Sequence, residues 1–235
     1  MSDKHPLHIS KEQVQEMPLA IFDGETIVVE HLSQVPEAMR YLNRQRVVGV
    51  DTETRPAFRK GEHYPVALLQ IATLKRCYLF RLHLLGLPDS LASFFANSRI
   101  TKVGLAFRDD LAALRQRTPF EPDNCVDVQS MVCRYGIFEL GLQKLFALLF
   151  GKRVSKSQRL TNWENLALTP EQARYAATDA WATLLIYKKL CGMKPLTKRE
   201  VENLKREEHE RQLQHQQEVI MGSENALNNK HRTRE

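Results

Sequence analysis

Cysteines are few in this 235-residue chain, and they show no pairing pattern. Cys77, Cys125, Cys133 and Cys191 form neither a CxxC nor a zinc-finger spacing. That argues against a structural zinc site or a disulfide framework and points to reduced, mostly buried thiols. Long hydrophobic runs are missing too. The longest, Leu145 to Phe150, is far too short to cross a bilayer. The N-terminus, MSDKHPLHIS, lacks the apolar core of a secretory signal, so a cytoplasmic location is expected and no membrane association. There is no internal repeat and no low-complexity core. Neither sign of charge dominates: 34 Lys and Arg stand against 28 Asp and Glu, for a net charge of +6. Mild basicity of this kind suits a polyanionic partner without identifying one. Apolar and charged contents of 43% and 26% are ordinary for a globular protein. The length accommodates one sizeable domain, or one domain and a tail.

The pattern of apolar residues gives an α/β order. Residues 26–30 read as a strand and 34–43 as a helix with Val35, Met39 and Leu42 on one face. VVGVD, residues 47–51, is a β-branched run ending in an acid and reads as a buried strand. A polar loop with Pro56 and Pro65 follows. VALLQIAT (66–73) and RCYLF (76–80) are joined by a short basic turn, which predicts an antiparallel hairpin. Next come helix 88–97, strand 101–105, helix 107–117 and strand 124–128, an alternation that implies parallel strands with crossover helices. Helices are expected at 129–135, 140–149 and 170–191. The sum is a mixed central sheet, an antiparallel meander followed by parallel βα units, flanked by helices. Residues 1–193 form the expected domain. Residues 194–235 form a charged tail, partly helical or disordered, because KREVENLKREEHERQLQHQQE has little to bury.

Three sets of acids carry the chemistry. Asp51 and Glu53, at i and i+2 on a strand, point to the same face. Paired anions repel unless a cation separates them, and oxygen ligands suit magnesium or manganese. Taken alone, a DxE is often only a polar strand end; a second one, Asp23 and Glu25 around Gly24, reads as a turn. Tyr175 and Asp179, at i and i+4, are neighbours on one helical face continued by Ala182, Ile186 and Leu190. An aspartate on a core-facing stripe needs a partner. Asp109 and Asp110 open a helix, where acids complement the helix dipole. Helical phase puts Asp110 at the edge of the face defined by Phe107, Leu111 and Leu114 and turns Asp109 away. Four acids spread over a strand end, a helix start and a helix face would together hold two cations about 3.5–4 Å apart, enough to bind phosphate and activate water.

GVDTE, KVGLAFRDDL and YAATDA resemble the three motifs of the DEDDy exonucleases, the group of RNase D and the Werner-syndrome exonuclease domain. VALLQIAT, YLF and the stretch KSQRLTNWENLALTPEQARYAATDAWATLLIY extend the likeness, which runs from about residue 20 to 193. The resemblance implies an RNase H-like fold and 3′→5′ hydrolysis of DNA or RNA by two Mg²⁺ or Mn²⁺ ions, releasing nucleoside 5′-monophosphates. It makes Asp51, Glu53, Asp110 and Asp179 the metal ligands and Tyr175 the residue that orients the attacking water. The sister group carries a histidine where this chain has Arg174, so the tyrosine subtype is implied. A polar tail of this size implies a stand-alone, bacterial-type exonuclease domain. By the same likeness, Lys156 and Arg159 contact phosphates and Trp163 packs against the domain. The loop with Arg55, Phe58, Arg59 and Lys60 combines cations with an aromatic and is expected to grip backbone phosphates and stack on bases. His63 and His83 have no partner at ligand spacing and read as structural or exposed. The rival readings are a non-catalytic nucleic-acid-binding module and a small-molecule phosphohydrolase on the same fold.

Overall fold

The computed structural model describes residues 8–59, 61–211 and 213. Expectations for Lys60, the first residues and most of 212–235 therefore lie outside the described residues. In chain order the main elements are α1 (Lys11–Glu16), β1 (Glu25–Val29), α2 (Val35–Leu42), β2 (Val47–Thr54), β3 (Val66–Ala72), β4 (Arg76–Arg81), α3 (Leu82–Leu85), α4 (Asp89–Phe95), β5 (Thr101–Gly104), α5 (Phe107–Arg117), β6 (Cys125–Asp127), α6 (Gln129–Val132), α7 (Leu142–Phe150) and α8 (Pro170–Cys191).

The strands form one sheet in the order β1-β4-β3-β2-β5-β6. β2, β3 and β4 are the expected meander, and β5 and β6 extend it in parallel from β2. β1 is not beside β2: it pairs in parallel with β4 at the opposite edge. β3 is buried along its whole length, as a central strand with both faces covered must be. One face carries Leu69, Ile71, Phe80 and Val50 against α2 and α4. On the other, Leu68, Ala72 and Leu79 meet α8 through Ala176, Ala177 and Ala180.

α8 is the element on which the site depends. Thr169 and Gln172 form a reciprocal capping box and Pro170 occupies the first turn, so its start is fixed by local chemistry. The helix is buried on several sides, including Tyr175, Asp179, Ala182 and Ile186, because the sheet lies on one side and α7 on another. It approaches β2 so closely that a Cβ on Gly49 would stand 2.0 Å from the Ala180 carbonyl oxygen. Only glycine permits that approach.

Two expectations need correction. The cysteines are free but not mostly buried: only Cys77 is, Cys125 and Cys133 are half-buried, and Cys191 is exposed at the end of α8. Cys191 follows the buried Leu190 by one position, which turns it off the packed face. The strand carrying the acids is also longer than VVGVD, running to Thr54 before its register with β3 shifts between Glu53 and Thr54. Residues 198–211 are helical, with Val201, Leu204 and Glu208 partly covered. This helix meets the domain where His8 Nε2 lies 2.5 Å from Glu208. No helix among the described residues is long and apolar enough to cross a membrane.

Candidate active site

β2 and α8 bring three carboxylates together. Oxygens of Asp51, Glu53 and Asp179 all lie within 4.8 Å of one another. Strand alternation places Gly49, Asp51 and Glu53 on the face that α8 covers. The bulge after Glu53 ends the regular ladder beside the cluster, where such irregularities re-aim a strand. Burial of like charges shifts every member upward. Asp51 stands well above the usual carboxylate range, through loss of water and then the neighbouring Asp179 and Glu53. Glu53 is pushed up to about 8 by burial and by Asp179 and Asp110, against the pull of Arg159. Asp179 rises to about 7 through burial, while the Tyr175 hydroxyl and Lys156 draw it back.

Asp110 sits at the edge of this group. The Thr52 hydroxyl donates to its carboxylate at 2.5 Å, and burial raises it to about 6. Thr52 alternates with Asp51 and Glu53 along β2, so it points off their face. Asp110 is held there by the way α5 begins. Ala106 adopts a left-handed conformation at φ 55°. The backbone N–H groups of Ala106 and Phe107 donate to the two carboxylate oxygens of Asp127, at 3.1 and 3.0 Å. A Cβ on Gly104 would collide with the Phe107 ring at 2.3 Å, so the turn needs glycine there. Asp109 is exposed.

Tyr175 lies against Asp179, and burial together with Asp179 and Glu53 keeps its phenol protonated. Its ring packs on Trp163, which is fully buried, with centroids 6.0 Å apart. Gln172 holds the same segment: its amide donates to Thr161 Oγ1 and the Asn162 carbonyl. Lys156 and Arg159 remain exposed on it, yet each is felt by an acid of the cluster, Asp179 and Glu53 respectively. Arg55 stacks over Tyr64 and reaches Glu164 at 3.9 Å, linking its loop to the same segment. Phe58 is 80% exposed, and Arg59 faces Glu62 at 4.0 Å. His63 is exposed, while His83 receives a hydrogen bond from Arg81 and faces the Ala67 carbonyl.

Sequence reasoning misses several contributors. Arg81, fully buried, donates to the carbonyls of Asn165 and Leu166 and pairs with Glu30 at 2.5 Å, bracing the segment that carries Trp163. An arginine ending a strand gives no local signal of such a role. Gln70 pairs across the ladder with Asp51, and its buried amide has no hydrogen-bond partner among the described residues. A cavity of about 150 Å³ beside Tyr175 and Asp179 is lined by Leu19, Ile21, Ser155, Ser157 and Arg174. The apolar PLAIF before β1 was the available clue to Leu19 and Ile21.

A family model described as 3′-5′ exonuclease matches residues 26–193. The mouse bifunctional 3′-5′ exonuclease/ATP-dependent helicase WRN is 32% identical over 153 residues, which is 61% of this chain and 11% of that protein. This chain thus matches only a small part of that relative. The Nibbler EXO domain of Aedes aegypti superposes with a TM-score of 0.66 at 23% identity, covering 80% of this chain and 98% of that one. RNase D of Escherichia coli, an exoribonuclease involved in structured RNA processing, gives a TM-score of 0.63 at 21% identity, covering 72% and 44%. The fold is RNase H-like, as expected.

Proposed function

This chain belongs to the 3′-5′ exonuclease family, and on that premise we propose that it removes nucleotides from the 3′ end of DNA or RNA as nucleoside 5′-monophosphates. One observation carries the reading: three half-buried or buried carboxylates from β2 and α8 converge within 4.8 Å, each raised by the others' charge or by burial. Carboxylates perturbed together in this way cluster at functional sites. Their oxygen-only donor set fits Mg²⁺ or Mn²⁺. Asp51, Glu53 and Asp179 would hold one cation, and Asp51 with Asp110 a second. Two bound cations would supply an activated water and stabilise the leaving 3′-oxygen.

The remaining work falls to the chain itself. Tyr175 lies beside Asp179, where its hydroxyl orients the attacking water. Lys156 and Arg159 bind phosphates beside the cluster. Arg55, Phe58, Arg59 and Lys60 grip the strand and stack on a base, with Phe58 positioned by its exposure for that contact. The apolar rim of Leu19 and Ile21 beside Tyr175 receives the terminal nucleoside. Residues 1–193 act as the exonuclease domain and 194–235 as a charged appendage, in the cytoplasm.

Digestion of 5′-labelled DNA and RNA oligonucleotides with Mg²⁺ or Mn²⁺ tests this. Stepwise shortening from the 3′ end is expected, abolished by EDTA and reduced at least about a hundredfold by Asp51→Asn, the scale of loss for a principal catalytic group. Cleavage that survives EDTA would sink the metal-dependent reading. Binding without shortening would leave only a nucleic-acid-binding module.

A further inference from the structure

We propose that a basic basin next to the acid cluster is a second phosphate-binding site, taking the backbone of the substrate strand on the 5′ side of the nucleotides being removed. The proposal rests on the exonuclease reading and extends its substrate track. The basin is a cavity of about 500 Å³ between α1, the start of α7 and residues 153–156. Lys11, Lys144, Arg153 and Lys156 line it, and among the described residues no acid does. It is larger than the cavity of about 150 Å³ beside Tyr175 and Asp179.

Residues 153–157 form the wall between the two spaces. Ser155 and Ser157 line the cavity with Tyr175 and Asp179, whereas Arg153 and Lys156 line the basin. Lys156 belongs to both settings, because its charge is also felt by Asp179. A strand leaving the acid cluster past Lys156 therefore enters the basin. The wall is fixed: the Arg153 backbone N–H donates to the Pro18 carbonyl, the Ala20 N–H donates to the Arg153 carbonyl, and Arg153 Nε donates to the Met17 carbonyl. Among the described residues, that leaves the rest of the Arg153 guanidinium for a ligand. Lys144 spends one donor on Glu139 at 2.9 Å, and Lys11 is exposed.

Cations collected in one concavity repel, and a polyanion removes that cost. Gly141, the residue before α7, provides no side-chain cap, so the positive end of that helix adds to the same field. Among the described residues no aromatic lines the basin, so these residues grip phosphates rather than stack on bases. It should therefore hold DNA and RNA of any sequence alike.

The test uses the full chain and labelled single strands three or twelve nucleotides long. Affinity for the twelve-nucleotide strand, measured by fluorescence anisotropy in EDTA over a series of salt concentrations, reports the basin apart from hydrolysis. Lys11→Gln with Lys144→Gln should lower the salt slope by about 1.4, from about 0.7 per lost phosphate contact on a single strand. With Mg²⁺, the KM advantage of the long strand over the short one should shrink in the same variant. Lys11→Glu alone, at an exposed position, should weaken long-strand binding more than Lys11→Gln and serves if the double variant does not fold. An unchanged salt slope in a variant with a wild-type thermal transition overturns the basin, as does a wild-type chain that fails to bind the long strand in EDTA. Failure of hydrolysis with Mg²⁺ despite basin-dependent binding would instead count against the exonuclease reading.

Discussion

Asp109 and Asp110 are adjacent in sequence and opposite in environment. Asp110 accepts from Thr52 at 2.5 Å and is raised to about 6 by burial, whereas Asp109 is exposed. Asp110→Ala should lower the rate by about a hundredfold or more, the scale for a principal catalytic group. Asp109→Ala should lose only a helix-dipole contribution of about 0.3–1 kcal/mol. Side-by-side rates on one labelled oligonucleotide decide this, and a dead Asp109 variant beside an active Asp110 variant would reverse the assignment. The distinction is legible in sequence because Phe107 and Leu114 fix the phase of α5. Asp127 is not legible in the same way: it lies far along the chain and shapes the site by accepting the Ala106 and Phe107 N–H groups. Tyr175→Phe removes only the hydroxyl beside Asp179 and leaves the ring on Trp163. The turnover number should fall while the metal affinity, measured by calorimetry, stays near wild type; equal losses in both would make the hydroxyl a structural group.

At the scale of elements, the site depends on how closely α8 lies on β2. Gly49 permits that contact, since a Cβ there would stand 2.0 Å from the Ala180 carbonyl oxygen. The obstacle is backbone and cannot swing aside. Gly49→Ala should therefore cost at least about 1–3 kcal/mol, the usual penalty of overpacking. In a domain of this size that reads as a fall in Tm of about 2–4 °C per kcal/mol. Activity should fall further than stability explains, because the helix that must shift carries Asp179. A variant with wild-type Tm and rate would show that α8 can move without consequence. Long elements are legible here: periodicity selects α5, and periodicity together with a capping box selects α8, and both run over the residues that sequence alone selects. α1 is not expected from periodicity, since six residues with one buried side chain, Val14, give no pattern. Its capping box, Ser10 with Gln13, was the usable signal. The parallel pairing of β1 with β4 had no local signal, because it joins strands separated in sequence by α2, β2 and β3.

For the whole molecule, the acid cluster couples stability to pH. Burial with repulsion from neighbouring acids raises Asp51 well above its ordinary value and Glu53 to about 8, burial raises Asp179 to about 7, and burial with Asp109 and Asp127 raises Asp110 to about 6. In the unfolded chain these groups titrate near about 4. Between those limits the folded state holds more protons than the unfolded state, so stability falls as pH rises. The contribution is fully present below about pH 4 and is lost progressively up to about pH 8. Lys156 and Arg159 oppose the shift but do not cancel it. In EDTA, Tm should therefore decline from about pH 5.5 to about pH 8, the range over which the cluster ionises. Asp51→Asn removes one charge and relieves its neighbours, so it should flatten the decline and raise the metal-free Tm at the upper end. If the cluster holds Mg²⁺ or Mn²⁺ as proposed, added metal should bind the ionised folded state and stabilise it by mass action. That gain should be larger near pH 8 than near pH 5.5, where protons compete for the same oxygens. Thermal scans of both proteins across this range, with EDTA or with metal, provide the measurement. A metal-free Tm that rises with pH, or an Asp51→Asn variant with the wild-type slope, would mean that the carboxylates are not coupled as their positions require.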